Sequence, residues 1–226
     1  LPLFNNATQA QKAPGSTFKP IIAVAALEEG VIGLNDTVNC TGIYKEISPA
    51  LRCWIYPGQH GPLDVVHGIQ NSCNVFFSEM GHRLSMDENG NYSPELGIEK
   101  IRKYASLFGL DETSGIEIAE REPQMTTEKP EASSIGQGKN SYSNVQLSRY
   151  ITAVANKGTV FKLSLLDKMT DSQGNLLEDF TPEVRSVIDV KDSTWNAVHT
   201  GMRRVISDGS ARKIFSDLEV DIAGKT

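Results

Sequence analysis

A run of seven apolar residues, Ile21 to Leu27, follows directly on Ser16-Thr17-Phe18-Lys19-Pro20 and is closed by Gly30. A helix carrying this run is apolar nearly all round, so it must be buried in a core, with its N-terminus at a site. Pro20 is tolerated only in the first turn, which fixes the helix start near Ser16, after the turn signal Ala13-Pro14-Gly15. The run is far short of the roughly 20 residues a membrane span needs. With 226 residues, 39% of them hydrophobic, the chain can build the core that such a helix demands. Its 22 Lys plus Arg against 28 Asp plus Glu leave a charge of −6, which argues against nucleic acid or an anionic membrane as the main partner.

Around that helix the coarse pattern is helix-rich, with strands late in the chain. Leu63 to Leu84 reads as two helices split around Asn71-Ser72-Cys73-Asn74, and Ile98–Phe108, Val145–Asn156 and Ser193–Ile206 read as amphipathic helices. Ile116-Glu117-Ile118 is a strand candidate. Val160–Met169 and Leu176–Phe180 read as a hairpin about the turn Asp171–Asn175, and Val220–Thr226 as the start of another strand. The expected fold is α+β: a helical subdomain plus an antiparallel sheet that is incomplete within these residues. The first residue is not Met and the last residues run out of a strand-like stretch, so a piece of a longer polypeptide is expected.

Chemistry enters at three places. Ser16 and Lys19 lie one helical turn apart and face the same way. A serine hydroxyl becomes a good nucleophile when a neighbouring amine can take its proton, and a neutral lysine can do so. Holding lysine neutral near pH 7 takes a shift of about 3 units, roughly 4–5 kcal/mol, from burial or a nearby cation. Peptide N–H groups at the helix start suit a developing oxyanion. Taken alone, the pair also suits a helix cap followed by a surface lysine. Ser72 and Asn74, in the break between helices, offer a proton relay and an amide for a substrate carbonyl, or simply two helix caps. Lys225 and Thr226 offer a cation and a hydroxyl on an edge strand, a receptor for the carboxylate of an extended peptide.

Ser-x-x-Lys, Ser-x-Asn and Lys-Thr in this order form the known motif set of penicillin-binding proteins and serine β-lactamases. The sequence resembles the transpeptidase domain of class B penicillin-binding proteins, most like the elongation-type branch. Ala13–Pro20 resembles the family's nucleophile segment, and Gly58-Gln59-His60-Gly61 precedes Ser-x-Asn as it often does there. Gly109-Leu110, Ser114-Gly115-Ile116, Ile135-Gly136-Gln137-Gly138 with Gln146-Leu147, and Gly201-Met202 with Gly209-Ser210-Ala211 extend the likeness over nearly the whole chain. The resemblance implies a peptidoglycan D,D-transpeptidase with the penicillin-binding protein fold, residues 1–226 being part of that domain. It implies Ser16 as nucleophile, Lys19 as its base, Ser72 as proton relay, Asn74 on the stem-peptide amide, and Lys225 with Thr226 on the terminal carboxylate. It implies D-Ala-D-Ala stem peptides and β-lactam antibiotics as ligands, no cofactor for catalysis, and a polytopic membrane glycosyltransferase as partner. It places the parent protein at the extracytoplasmic face of the bacterial cell membrane, held by an N-terminal anchor and pedestal outside this chain. The third motif stops at Thr226, before the Gly that completes it in the family. A serine β-lactamase shares the fold and two motifs, but no Glu-x-x-Leu-Asn segment supplies its water-activating base. A sensor or scaffold acylated once without turnover is the reading from a different class.

Cys40, Cys53, Cys73 and His60 make a candidate structural zinc set, too widely spaced for a finger but open to assembly by the fold. A Cys40–Cys53 disulfide and three unrelated thiols are the alternatives. His67, His82 and His199 show no ligand pattern, and Trp54 reads as core or groove wall.

Overall fold

The structure is a computed structural model, and it describes residues 3–215 and 218–226. Its centre is helix α1 (Lys19–Glu28), entered through a 3-10 turn at Gly15–Phe18. Every side chain from Lys19 to Leu27 is buried, as an all-round apolar run requires. The burial of Ile21, Ile22 and Val24 contributes about 2 kcal/mol each. Pro20 sits in the first turn, where its missing N–H costs no hydrogen bond.

Helices α2 (Val65–Gln70) and α3 (Asn74–Leu84) flank the expected break, followed by α4 (Pro94–Leu107), α5 (Pro130–Ser133), α6 (Asn144–Ala155), α7 (Asp192–Ser207) and α8 (Arg212–Phe215). α1 packs on α2, α3, α4 and α7, so the helical core closes round the segment that begins at Ser16. α4 starts four residues before Ile98 because the Ser93 hydroxyl accepts from the Leu96 N–H at 3.3 Å and Pro94 takes the first turn. α6 opens with a reciprocal capping box between Ser143 and Gln146.

The β structure is antiparallel, as expected, but among the described residues it falls into five separate two-stranded ladders. Gln11–Lys12 pairs with Tyr142–Ser143, Val38–Cys40 with Gly61–Leu63, and Ile43–Tyr44 with Leu51–Arg52. The expected hairpin is nested. Lys168–Thr170 pairs with Leu176–Asp179 about the Asp171 turn, while Thr159–Lys162 pairs with Glu183–Val187. Ile116–Ile118 forms no strand. Gly115 turns the backbone at φ +91°, and the Glu117 carboxylate, rather than a ladder, takes the Leu165 N–H at 2.8 Å. Val220–Thr226 is not a strand either. Its polar groups bond to α7 instead of a ladder partner: the Gly224 N–H donates to the Met202 carbonyl at 3.1 Å, and Arg203 donates to the Ile222 carbonyl at 3.1 Å.

Candidate active site

The turn that presents Ser16 depends on two glycines. Gly15 adopts φ +56° and donates its N–H to the Gly136 carbonyl at 3.0 Å. A Cβ on Gly136 would lie 1.9 Å from the Gly15 oxygen, so no side chain fits at that approach. Thr17 closes the turn from both sides: its hydroxyl donates to the Pro14 carbonyl at 2.7 Å, and its own carbonyl accepts from Tyr150 at 2.9 Å. Ser16 is left half-buried at the helix start, where peptide N–H groups lack intrahelical acceptors. It faces a cleft of about 320 Å³ lined also by Trp54, Ser72, Asn74, Ser210 and Thr226.

Lys19 points inward and is fully buried, which removes the surface-lysine reading. Its Nζ donates to the Ser72 carbonyl at 2.8 Å, to the Ser72 hydroxyl at 3.3 Å and to Asn74 Oδ1 at 2.8 Å, over the ring of Phe77. Burial pushes the Lys19 ammonium down to about 8, against an opposing pull from Cys73 and Cys53. Among the described residues no hydrogen bond joins Lys19 Nζ to the Ser16 hydroxyl, and three acceptors fill its donors. Loss of one proton would leave a lone pair one helical turn from Ser16.

Neither Ser72 nor Asn74 caps a helix. Asn71 ends α2, and the Cys73 sulfur caps α3, accepting from the Phe76 N–H at 3.4 Å. Ser72 is thereby held in the left-handed region at φ +49°, with its carbonyl turned to Lys19. Asn74 fixes its amide by donating to the Arg52 carbonyl at 3.2 Å.

Lys225 and Thr226 reach the same cleft without an edge strand. The Thr226 main-chain oxygen accepts from the Ser72 hydroxyl at 2.7 Å and from Lys225 Nζ at 2.6 Å. The Thr226 hydroxyl lies 2.5 Å from that of Ser210. Burial, with the charge of Lys19 second, lowers Lys225 to about 7. Sequence reasoning gave no site role to Ser210, and left Trp54 between core and wall. The Gly-Ser-Ala run at 209–211 was the only signal for Ser210, and the exposed Trp54 stands in the cleft wall.

The fold also assembles Cys40, Cys53, His60 and Cys73, whose ligand atoms all lie within 4.8 Å of one another. No disulfide joins the three thiols. His60 Nδ1 stands 3.5 Å from Cys40 Sγ and 3.6 Å from Cys53 Sγ, and the Cys53 and Cys73 sulfurs are 3.8 Å apart. Tetrahedral zinc with ordinary bond lengths requires about 3.8 Å between sulfurs and about 3.5 Å from sulfur to nitrogen. The donor set and its spacing fit zinc. Without a cation the two close sulfurs compete for a proton: the Cys53 thiol is drawn down by its hydrogen bond with Cys73, while that bond and burial push the Cys73 thiol up. The other histidines are tied structurally: His67 to Asp64 and Arg204, His82 to Glu131, and His199 to the Val154 carbonyl.

The chain is 29% identical to the peptidoglycan D,D-transpeptidase MrdA of Escherichia coli K12, over all of this chain and 36% of that protein. To MrdA of Haemophilus influenzae it is 28% identical, again over the whole chain and 35% of the relative. It thus spans about a third of the length of these curated relatives. Among solved structures, a peptidoglycan synthase complex described as coordinating polymerization and crosslinking superposes with a TM-score of 0.85 at 26% identity, covering 100% of this chain and 38% of that one. Pseudomonas aeruginosa PBP2 in complex with WCK 5153 does so with 0.80 at 25%, covering 99% and 51%. The family model for the penicillin binding protein transpeptidase domain matches residues 2–226, and the α+β fold with its helical core round the Ser16 helix agrees: the chain belongs to the penicillin-binding protein transpeptidase family.

Proposed function

We propose that this chain is the catalytic piece of a peptidoglycan D,D-transpeptidase that cross-links stem peptides and is acylated by β-lactams. The observation that carries the reading is Lys19: fully buried, lowered to about 8, bonded to Ser72 and Asn74, and one helical turn from Ser16. Neutral Lys19 takes the Ser16 proton as Ser16 Oγ attacks the carbonyl of the penultimate D-Ala. The acyl–oxygen bond forms, the peptide C–N bond breaks, and the proton passes through Ser72 to the departing D-Ala amine. The Ser16 peptide N–H faces the developing oxyanion. Asn74 orients the stem-peptide amide, and Lys225 with Thr226 receives the terminal carboxylate. An acceptor amine then attacks the acyl-enzyme, forming the cross-link and returning the proton to Ser16. A β-lactam enters the same first step, its ring C–N bond replacing the peptide bond.

Cys40, Cys53, His60 and Cys73 would hold a structural zinc, bracing the loop that carries Ser72. The metal takes no part in the chemistry. Zinc content measured on the purified protein, and its loss in Cys40→Ser, tests this assignment. The likeness to MrdA and to a synthase that couples polymerization with crosslinking supports a membrane-anchored parent protein acting outside the cytoplasm. It also supports a glycan-polymerising membrane partner. No described helix is long and apolar enough to cross a membrane.

Intact mass after incubation with benzylpenicillin tests the central reading, on a polypeptide that includes the residues after Thr226. The expected result is one stable adduct, absent in Ser16→Ala. A folded protein with no adduct overturns the assignment, rapid hydrolysis of the drug points to a β-lactamase, and an adduct without turnover of stem peptide points to a sensor.

A further inference from the structure

We propose that Trp54 is a positioning residue for Ser72, acting through the bond from its indole N–H to the Asn71 carbonyl. The inference rests on the transpeptidase reading of the site.

Trp54 is a large aromatic left 58% exposed in the cleft, so core packing does not explain its place. Its Nε1–H donates to the Asn71 carbonyl at 2.8 Å. That carbonyl belongs to the peptide plane whose rotation about the next N–Cα bond is the φ of Ser72. At +49° this φ lies where a non-glycine residue costs about 1–2 kcal/mol. Relaxing it to the ordinary negative range would swing the Asn71 carbonyl away from the indole. On the far side of Ser72, Lys19 takes the next carbonyl at 2.8 Å. Each of the two peptide planes that flank Ser72 makes a local backbone bond, Ser72 N–H to the Ile69 carbonyl and Cys73 N–H to the Gly68 carbonyl, both at 3.1 Å, and each is held a second time by a side chain distant in sequence, Trp54 on one and Lys19 on the other. With both held, the Cα–Cβ bond of Ser72 is aimed into the cleft, and its hydroxyl there bonds to Lys19 and Thr226.

The Trp54 clamp has a firm footing. Cys53 is buried in the Cys/His cluster and its N–H donates to the Gly42 carbonyl at 2.9 Å. The indole ring leans edge-on against His60, with centroids 5.3 Å apart and planes at 61°. The preceding residue, Arg52, gives its carbonyl to Asn74. The loop that supplies Cys53 and His60 to the cluster thus also reaches into the break through one indole proton.

The test is a double-mutant cycle on the second-order rate of acylation by benzylpenicillin, with zinc content and melting temperature measured in parallel. Trp54→Phe keeps an aromatic ring at this place and removes the donor together with the five-membered part of the indole. The expected result is a loss of about tenfold in Trp54→Phe, with metal content and melting temperature unchanged. In a Ser72→Ala background the same change should cost less than twofold, because the group it positions is gone. An equal loss in both backgrounds means a general structural effect and overturns the inference, as does a Trp54→Phe rate equal to wild type. A wild-type protein that is not acylated overturns the transpeptidase reading itself, and this inference with it.

Discussion

The break at Asn71–Asn74 and the outer hairpin at Lys168–Asp179 are both short reversals between regular elements, and they are held in opposite ways. In the hairpin every bond is local. The Asp171 carboxylate takes the Gln173 and Asn175 N–H groups at 2.9 and 2.8 Å, and both strands lie exposed, with Leu176 and Leu177 in solvent. In the break the local backbone bonds are joined by bonds from afar: Lys19 on the Ser72 carbonyl, Trp54 on the Asn71 carbonyl, and Thr226 on the Ser72 hydroxyl. A locally made turn tolerates change because nothing else leans on it. A turn made by tertiary contacts can hold a residue in a costly conformation, and here that residue stands beside the buried lysine.

The largest expected effect breaks the contrast at its centre. Lys19→Met removes the proposed proton acceptor while filling the same buried space, and acylation by benzylpenicillin should fall about 10³-fold, measured by stopped-flow fluorescence or quenched mass spectrometry. Retention of more than a tenth of the rate would remove Lys19 from its role. Next comes a matched pair of glycines, both in the left-handed region. Gly136→Ala forces a Cβ against the Gly15 oxygen, 1.9 Å away, and should cost about 3 kcal/mol or more in urea unfolding. Gly174→Ala meets nothing within 4 Å and should cost only its backbone strain, about 1 kcal/mol. Equal losses would erase the distinction between a glycine fixed by a tertiary approach and one in a locally made turn.

A third effect follows from the lowered Lys19. In the proposed mechanism the reactive form is neutral, so below about 8 the acylation rate should fall nearly tenfold per pH unit, and above about 8 it should level off. A rate that is flat from pH 6 to 9 would show that Lys19 does not titrate in the reaction. Smallest of all, Leu177→Gln on the hairpin should shift stability by no more than about 0.5 kcal/mol and leave acylation within twofold. A larger loss in a thermal melt would mean that the hairpin carries load in the fold.

Much of the architecture was legible because its signals are local. The apolar run after Pro20 could only be a buried helix, the four residues from Asn71 could only interrupt one, and the Asp171 turn carries its own hydrogen-bonding carboxylate. Strands were less legible. Ile116–Ile118 and Val220–Thr226 have the composition of strands, but a strand exists only by pairing, and their partners turned out to be a glutamate side chain and helix α7. Within the site, the candidate residues were visible as motifs, whereas Ser210 and the indole of Trp54 had no pattern of their own. Arg149 was equally silent: buried, it donates to the carbonyls of Gly109, Glu112 and Thr113 and so holds the segment between them.

By itself the sequence determined that α1 is buried, that Ser16 opens it, and that a break carries Ser72 and Asn74, because periodicity, proline and glycine act within a few residues of where they stand. Only the tertiary structure decided that Lys19 is dry enough to approach neutrality and that three cysteines and a histidine converge to within 4.8 Å of one another. It alone decided that Ser72 is clamped on both sides. Desolvation and coordination geometry depend on groups 7 to 154 positions apart along the chain, and distances of that kind are set by packing.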